Sequence, residues 1–247
     1  MRYNELTFQG RNAVLEAFRS GKTIDKLFIL DGCQDGPIKS IVREAKKTDA
    51  IINYVDKERL DRLAGTGHHQ GVVAIGAAYE YAEVEDILAA AKEKGEDPFI
   101  FILDEIEDPH NLGAIIRTAN LAGAHGVIIP KRRAVGLTAT VAKTSAGAIN
   151  YTPVAKVTNI SQTIEELKKQ GLWFVCADMG GETMYNLNLK GPIGLVIGNE
   201  GNGVSRLVKD KCDFIASIPM KGDIDSLNAS VAACLLYTSP SPRDSTS

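Results

Sequence analysis

The sequence predicts an α/β protein in two parts, a parallel-sheet domain in the C-terminal half and a smaller α/β domain before it. Short apolar runs alternate with amphipathic stretches along most of the chain, as strands joined by helices do. The run Phe99–Leu103 is apolar throughout, as in a strand covered on both faces of a parallel sheet. Three polar segments rich in glycine or proline each abut such a run: Asn111–Ala119, Ile197–Gly203 and Ile218–Ser230. A strand ending in a tight loop before a helix is where open α/β sheets hold ligands.

Composition sets the frame. With 247 residues, 44% of them hydrophobic, 24% charged and a net charge of −3, the chain reads as a soluble globular protein of one large or two ordinary domains. No apolar run approaches the roughly 20 residues of a membrane span, and Met1–Glu5 lacks the apolar core of a secretion signal. Cys33, Cys176, Cys212 and Cys234 show no CxxC spacing, which points to reduced thiols and no metal site. A cytoplasmic location is expected. A net-negative chain has no bulk basic field, so any nucleic-acid contact needs a local patch. Lys131, Arg132 and Arg133 form the densest basic cluster of the C-terminal half. They read either as a solvated loop or as a ligand contact at a strand's C-terminal end.

Residues 1–77 form the first predicted domain. A helix is expected after Gly10-Arg11-Asn12, with Val14, Leu15 and Phe18 at helical spacing. A strand over Lys26–Leu30 follows, then a helix from Pro37 to Lys47 with Ile38, Ile41, Val42 and Ala45 on one face. Ile51–Val55 reads as a strand, Glu58–Leu63 as a short helix and Gly71–Ile75 as a strand. The acidic stretch Tyr79–Asp86 and a helix over Ile87–Lys94 are read as a linker, residues 78–97.

The second domain, residues 98–237, opens with the strand Phe99–Leu103. Asp108–Gly113 is expected to be the loop before a helix over 111–122. Alternation continues through strand 126–129, a helix near 137–146, strand 152–157, a helix near 160–170 and strand Leu172–Ala177. Strand Ile193–Ile197, a helix over about 204–210, strand Phe214–Ile218 and a helix from Ser226 complete it. Residues 238–247 carry two prolines and no apolar residue, which reads as a non-native tail.

The three polar segments carry the chemistry. Pro109 fixes φ, and Gly113 is expected to let backbone approach a ligand at the helix start. Arg117 reads as a surface ion pair or, with Asn111 six residues earlier, as half of a shared ligand site. His110 adjoins this loop, whereas His68, His69 and His125 read as surface or packing residues. Gly198-Asn199-Glu200-Gly201-Asn202-Gly203 has neither a Walker nor a Rossmann spacing. It reads as a glycine-built turn or as a binding loop in which Glu200 would repel a pyrophosphate and suit hydroxyls, a cation or Arg117. Ser226 suits an N-cap, but capping does not explain the small polar run Leu227-Asn228-Ala229-Ser230.

Together, in this order, the three segments resemble those of the SpoU (TrmH-type) family of RNA ribose 2'-O-methyltransferases in the SPOUT superfamily. The resemblance covers residues 7–233. It implies that the parallel sheet is an α/β-knot domain, its last segment threaded into a trefoil knot, and that the enzyme is a homodimer using S-adenosylmethionine. It implies cofactor contacts at Gly198, Asn199, Ile218, Met220 and Leu227. Catalytic and substrate-positioning roles would fall to Asn111, Arg117, Glu200, Ser226 and Asn228, with Glu200 and Asn111 orienting Arg117. The segments Phe8–Val14 and Gly67–Val73 resemble a ribosomal-protein-like RNA-binding domain, with Arg11 and Gln70 as RNA contacts beside Lys131, Arg132 and Arg133. The implied reaction is 2'-O-methylation of 23S rRNA, at a guanosine of the peptidyl-transferase region. Two alternatives stand beside it: a tRNA 2'-O-methyltransferase, and a catalytically inactive rRNA-binding protein.

Overall fold

The computed structural model describes residues 6–217 except 49, 66, 184–186 and 188. The chain divides into two compact units, one of residues up to Glu80 with Gly136–Thr140, the other of Tyr81–Val135 and the chain from Val141 on.

In the first unit four strands form one sheet in the order β1-β4-β2-β3. They are β1 (Leu6–Gln9), β2 (Ile24–Leu30), β3 (Ile51–Val55) and β4 (Val72–Gly76), joined by helices α1 (Arg11–Arg19), α2 (Gly36–Lys47) and α3 (Lys57–Ala64). Only β2 and β3 run parallel; β4 is antiparallel to both β1 and β2. The sequence reading placed no strand at Leu6–Gln9. This strand has four residues, lies at the sheet edge and has no fully buried side chain, so it lacks the periodicity by which a longer strand declares itself. Val14, Ala17 and Phe18 of α1 and Ile38, Ile41 and Ala45 of α2 pack on Leu27, Ile29, Val72 and Ala74. Asp35 caps α2, accepting from Ile38 N, with Pro37 in the first turn.

The second unit is a six-stranded sheet in the order β10-β8-β9-β5-β6-β7. Its strands are β5 (Phe99–Leu103), β6 (Gly126–Pro130), β7 (Val154–Val157), β8 (Trp173–Thr183), β9 (Ile193–Ile197) and β10 (Phe214–Ser217), and every pairing is parallel. Helices α4 (Val84–Lys94), α5 (Pro109–Leu121), α6 (Ala139–Thr144), α7 (Ile160–Lys169) and α8 (Arg206–Lys209) connect them, with a 3-10 turn at Ala148–Asn150. Side chains from β5 to β9 and from α4 and α7 meet in one core, including Ile87, Ile100, Ile102, Ile164, Leu167, Phe174 and Val196. Gly194 lies under the Phe174 ring, where an added Cβ would come within 2.3 Å of it.

The topology creates a switch point. From β5 the chain leaves through α5 to β6 on one side, and from the adjacent β9 it leaves through α8 to β10 on the other. The crevice at the carboxyl ends of β5 and β9 is where doubly wound sheets bind ligands. The expected knot, and the assignments to Ile218, Met220, Ser226, Leu227, Asn228 and the tail 238–247, lie outside the described residues.

Candidate functional site

Three loops meet at the carboxyl edge of β5, β6 and β9. The loop after β9 closes on itself, Asn199 N donating to Gly203 O (3.1 Å) and Gly203 N to Asn199 O (2.8 Å). A Cβ on Gly198 would lie 2.2 Å from Gly203 C and 2.3 Å from Val204 N, so only glycine permits this closure. The Asn199 side chain braces the loop at both ends of its amide. Its Oδ1 accepts from Gly201 N (2.8 Å), and its Nδ2 donates to the Glu105 carbonyl (3.0 Å).

That carbonyl belongs to the loop after β5. Asp104, buried, accepts from Ser205 N at 2.8 Å, and Asp104 N donates to Ile197 O. Glu105 has φ +57° and Arg133, in the loop after β6, has φ +54°, both in the left-handed region that residues other than glycine seldom occupy. Arg133 Nη1 donates to Glu105 Oε1 at 2.8 Å, and this bond and the carboxylate charge raise the Arg133 pKa above its ordinary value. Glu105 therefore ties all three loops together, by its carbonyl to Asn199 and by its carboxylate to Arg133. Neither Asp104 nor Glu105 was singled out from sequence. The available signal was an acidic pair directly after an all-apolar strand, at the edge where ligands bind.

Helix α5 supplies the fourth wall. It begins at Pro109, with Asp108 as N-cap accepting from His110 N at 2.8 Å. Asp108–Gly113, read from sequence as a loop, is therefore a cap and the first helical turn, because an N-cap aspartate followed by proline at the first position favours helix. Gly113 faces α6 rather than a ligand: an added Cβ would lie 2.7 Å from Thr144 Cβ and 3.0 Å from Ser145 N. Asn111 Nδ2 donates to Glu200 Oε1 across the crevice, at 2.5 Å. This bond joins the first two of the three polar segments.

Arg117 lies on the same helix with no loop between it and Asn111. Six residues at 3.6 per turn rotate it about 120° away, and it is exposed, with no hydrogen bond or ion pair among the described residues. The expected orienting of Arg117 by Glu200 and Asn111 does not take the form of a direct bond: Glu200 engages Asn111, and Arg117 bonds neither among the described residues. Lys131 is half-buried and Arg132 exposed at the end of β6.

Beside the crevice, Lys209 of α8 pairs with Asp178 of β8 at 2.5 Å, which raises the lysine pKa. Hydrogen bonding to Cys212, then burial, push the buried Cys176 thiol far up. In the first unit, Gln70 (φ +51°) accepts from Arg11 N at 3.1 Å, Arg11 Nε donates to Gln70 O at 3.2 Å, and Arg11 Nη2 pairs with Asp35 at 2.5 Å. The two residues expected to touch RNA are thus bonded to each other. His69 bridges Gly71 N and Asp61, and His125 bridges Phe99 N and Glu96, both buried packing histidines.

A parallel α/β unit with a self-closed glycine loop and a polar crevice at its switch point, preceded by a separate mixed-sheet unit, defines a two-unit α/β protein with a candidate ligand crevice. Comparison with known proteins gives the family. Residues 98–238 match the SpoU rRNA Methylase family, and residues 9–82 match the RNA 2'-O ribose methyltransferase substrate-binding domain. The chain is 54% identical over 228 residues, 92% of its length and 91% of the relative's, to a putative TrmH family tRNA/rRNA methyltransferase of Bacillus subtilis. The structure is similar to an AdoMet-bound rRNA methyltransferase from Sinorhizobium meliloti (TM-score 0.58, 23% identity), covering 94% of this chain and 85% of that one. It is also similar to the A. aeolicus TrmH/SpoU tRNA modifying enzyme (TM-score 0.52, 27% identity), covering 57% of this chain and 73% of that one. The chain belongs to the SpoU rRNA methylase family of RNA methyltransferases.

Proposed function

We propose that the chain transfers a methyl group from S-adenosylmethionine to a ribose 2'-hydroxyl of 23S rRNA, at a guanosine of the peptidyl-transferase region, as a cytoplasmic homodimer. The observation that carries this reading is the crevice itself, a glycine-closed loop whose Glu200 is bonded to Asn111 at the switch point. The loop residues Gly198, Gly201 and Gly203 leave bare backbone there, as a cradle for a flat or extended ligand requires. A carboxylate in that cradle disfavours pyrophosphate and favours a sulfonium cation. When bound, S-adenosylmethionine supplies an electrophilic methyl on that sulfonium. The contacts assigned to Gly198 and Asn199 would be completed by Ile218, Met220 and Leu227.

The residues then have separable tasks. Glu200 fixes the Asn111 amide at the crevice mouth, where it orients the ribose with Ser226 and Asn228. Arg117 clamps the phosphate 3' of the target ribose. A guanidinium stays charged at working pH, so it serves as a clamp and the phosphate itself is available to take the hydroxyl proton. Lys131, Arg132 and Arg133 line the approach of RNA to the carboxyl edge of the sheet. Arg11 and Gln70, locked together, present the first unit's loop to the RNA. The large exposed side chains Leu121 and Tyr151, brought near each other by the Asn120–Thr152 hydrogen bond, support a second copy as partner. No helix among the described residues is long and apolar enough to cross a membrane, and none of their side chains form a cluster suited to a metal.

The rRNA reading is favoured over tRNA by the first unit: the substrate-binding match covers it, whereas the tRNA-modifying neighbour aligns over only 57% of the chain. The test is transfer of labelled methyl from S-adenosylmethionine to unmodified 23S rRNA, with bulk tRNA and Arg117→Ala protein as controls. Label in 23S rRNA alone, reduced at least about a hundredfold by the substitution, is expected for loss of a charge-assisted clamp acting in the transition state. Label in tRNA would overturn the substrate assignment, and no label in any RNA would leave the inactive RNA-binding alternative.

A further inference from the structure

The first unit carries a second feature, which starts at Cys33 and Gln34, next to the Asp35 that pairs with Arg11, and runs along α2. A groove of about 410 Å³ lies between α2 and β3, lined by Cys33, Gln34, Lys39, Arg43, Lys46 and Tyr54 over a floor of Ile38 and Val42. Lys39, Arg43 and Lys46 follow one another at intervals of four and three residues, which places them on one face of α2. All three are exposed, and none of their side chains has a hydrogen bond or ion pair among the described residues. No carboxylate lines the groove. Its far wall is the edge strand of the sheet, from which Tyr54 is 55% exposed. Tyr54 shares a sheet face with Ile52, which packs into the core beneath α2.

The groove thus sets a cation row beside an exposed aromatic ring on a chain of net charge −3. The neighbouring charges are neutralised locally: Lys47 pairs with Glu44, and Arg11 with Asp35. Three cations spaced along one and a half to two turns of helix cover roughly 10 Å, which is about the span of two phosphate steps of an extended strand. A ring beside such a row offers a face on which a base can stack, and stacking requires an unpaired base. A double helix buries its bases and would offer only its backbone.

We propose that this groove is a single-stranded RNA site, with Lys39, Arg43 and Lys46 on consecutive phosphates and one base stacked on Tyr54. The proposal rests on the reading of the chain as an RNA methyltransferase, and assigns its first unit a contact with an unpaired stretch of the substrate.

The probe is a short fluorescein-labelled single-stranded RNA, titrated with the full-length protein by fluorescence anisotropy over a series of salt concentrations. The Lys39→Ala/Arg43→Ala/Lys46→Ala variant should flatten the log–log salt slope by about 2, at about 0.7 per phosphate on a single strand. Tyr54→Ala should weaken binding about tenfold with the slope unchanged, and Tyr54→Phe should bind like the parent. All four side chains are exposed, and circular dichroism of each variant checks that the fold is intact. An unchanged slope in the triple variant, equal binding by Tyr54→Ala and Tyr54→Phe, or equal competition by a duplex of the same sequence would each overturn the proposal. Methyl transfer by the parent protein is measured separately. Transfer to rRNA with no groove effect would sink the groove and spare the enzyme. Groove-dependent binding without transfer to any RNA would sink the enzyme and spare the groove.

Discussion

A methyl group at residue 198 would collide with three backbone atoms of Gly203 and Val204 at 2.2–2.3 Å, and backbone cannot rotate aside as the end of a side chain can. Gly198→Ala should therefore open the Asn199–Gly203 closure. Overpacking of this kind costs about 1–3 kcal/mol, and the melting temperature should fall accordingly. S-adenosylmethionine titrated by calorimetry should lose most of its affinity, because the loop it is proposed to occupy no longer closes. A variant that melted early but bound the cofactor normally would separate the loop's structure from its proposed task. Asn111 and Glu200 stand out in the sequence by their polar, glycine-rich settings, and they meet across the crevice. The purpose of Gly113 was not legible, because a glycine needed for helix-on-helix contact with Thr144 looks in sequence like one needed for a ligand. Glu105 was missed because its importance lies in a left-handed φ and in its main-chain carbonyl, and neither follows from residue type.

Strands buried on both faces were the most legible elements. β5 and β9 appear with the bounds their apolar runs predict, since nothing but burial suits five consecutive apolar residues. β8 is longer than predicted. Its register with β10 jumps from Cys176 opposite Ile215 to Glu182 opposite Ala216, and the intervening residues include Asp178, a charge that ends an apolar pattern on paper. Asp178 instead turns to meet Lys209 of α8, pinning that four-residue helix beside the β9 loop. The pair gives a pH signature. Lys209 has its pKa raised above 10.5 by the Asp178 hydrogen bond, so the folded state binds the proton more tightly than the unfolded chain does. The resulting stability is complete below pH 10.5 and is lost as pH rises through the raised value. Both side chains are partly exposed, at 32% and 21%, so solvent screening holds the contribution to about 1 kcal/mol or less. Asp178→Asn should melt slightly earlier than the parent at pH 8, and the gap should narrow at pH 11. A gap independent of pH would mean that packing, rather than charge, holds α8 in place.

Across the whole molecule, each unit has a core of its own. Leu27, Ile29, Ile38, Ile41 and Val72 are buried in the first, and Ile100, Ile102, Phe174 and Val196 in the second. Alternating apolar and amphipathic segments announced both sheets. They did not announce the strand orders, which depend on pairings between segments far apart in sequence, or the antiparallel β4 between β1 and β2. Two cores in one chain allow damage to one to leave the other intact, and this can be measured. Ile41 is fully buried among the helices and sheet of the first unit, and its truncation to alanine leaves a cavity that costs about 2–5 kcal/mol. In scanning calorimetry Ile41→Ala should lower the transition of the first unit and leave that of the second in place. S-adenosylmethionine, proposed to bind the second unit, should raise only the unaffected transition, since a ligand stabilises what it binds. Methyl transfer to rRNA should then fail at temperatures where cofactor binding persists, because substrate recognition is assigned to the unit that has melted. If Ile41→Ala shifted both transitions together, the two units would share one cooperative fold, and cofactor binding would disappear at the same temperature as transfer.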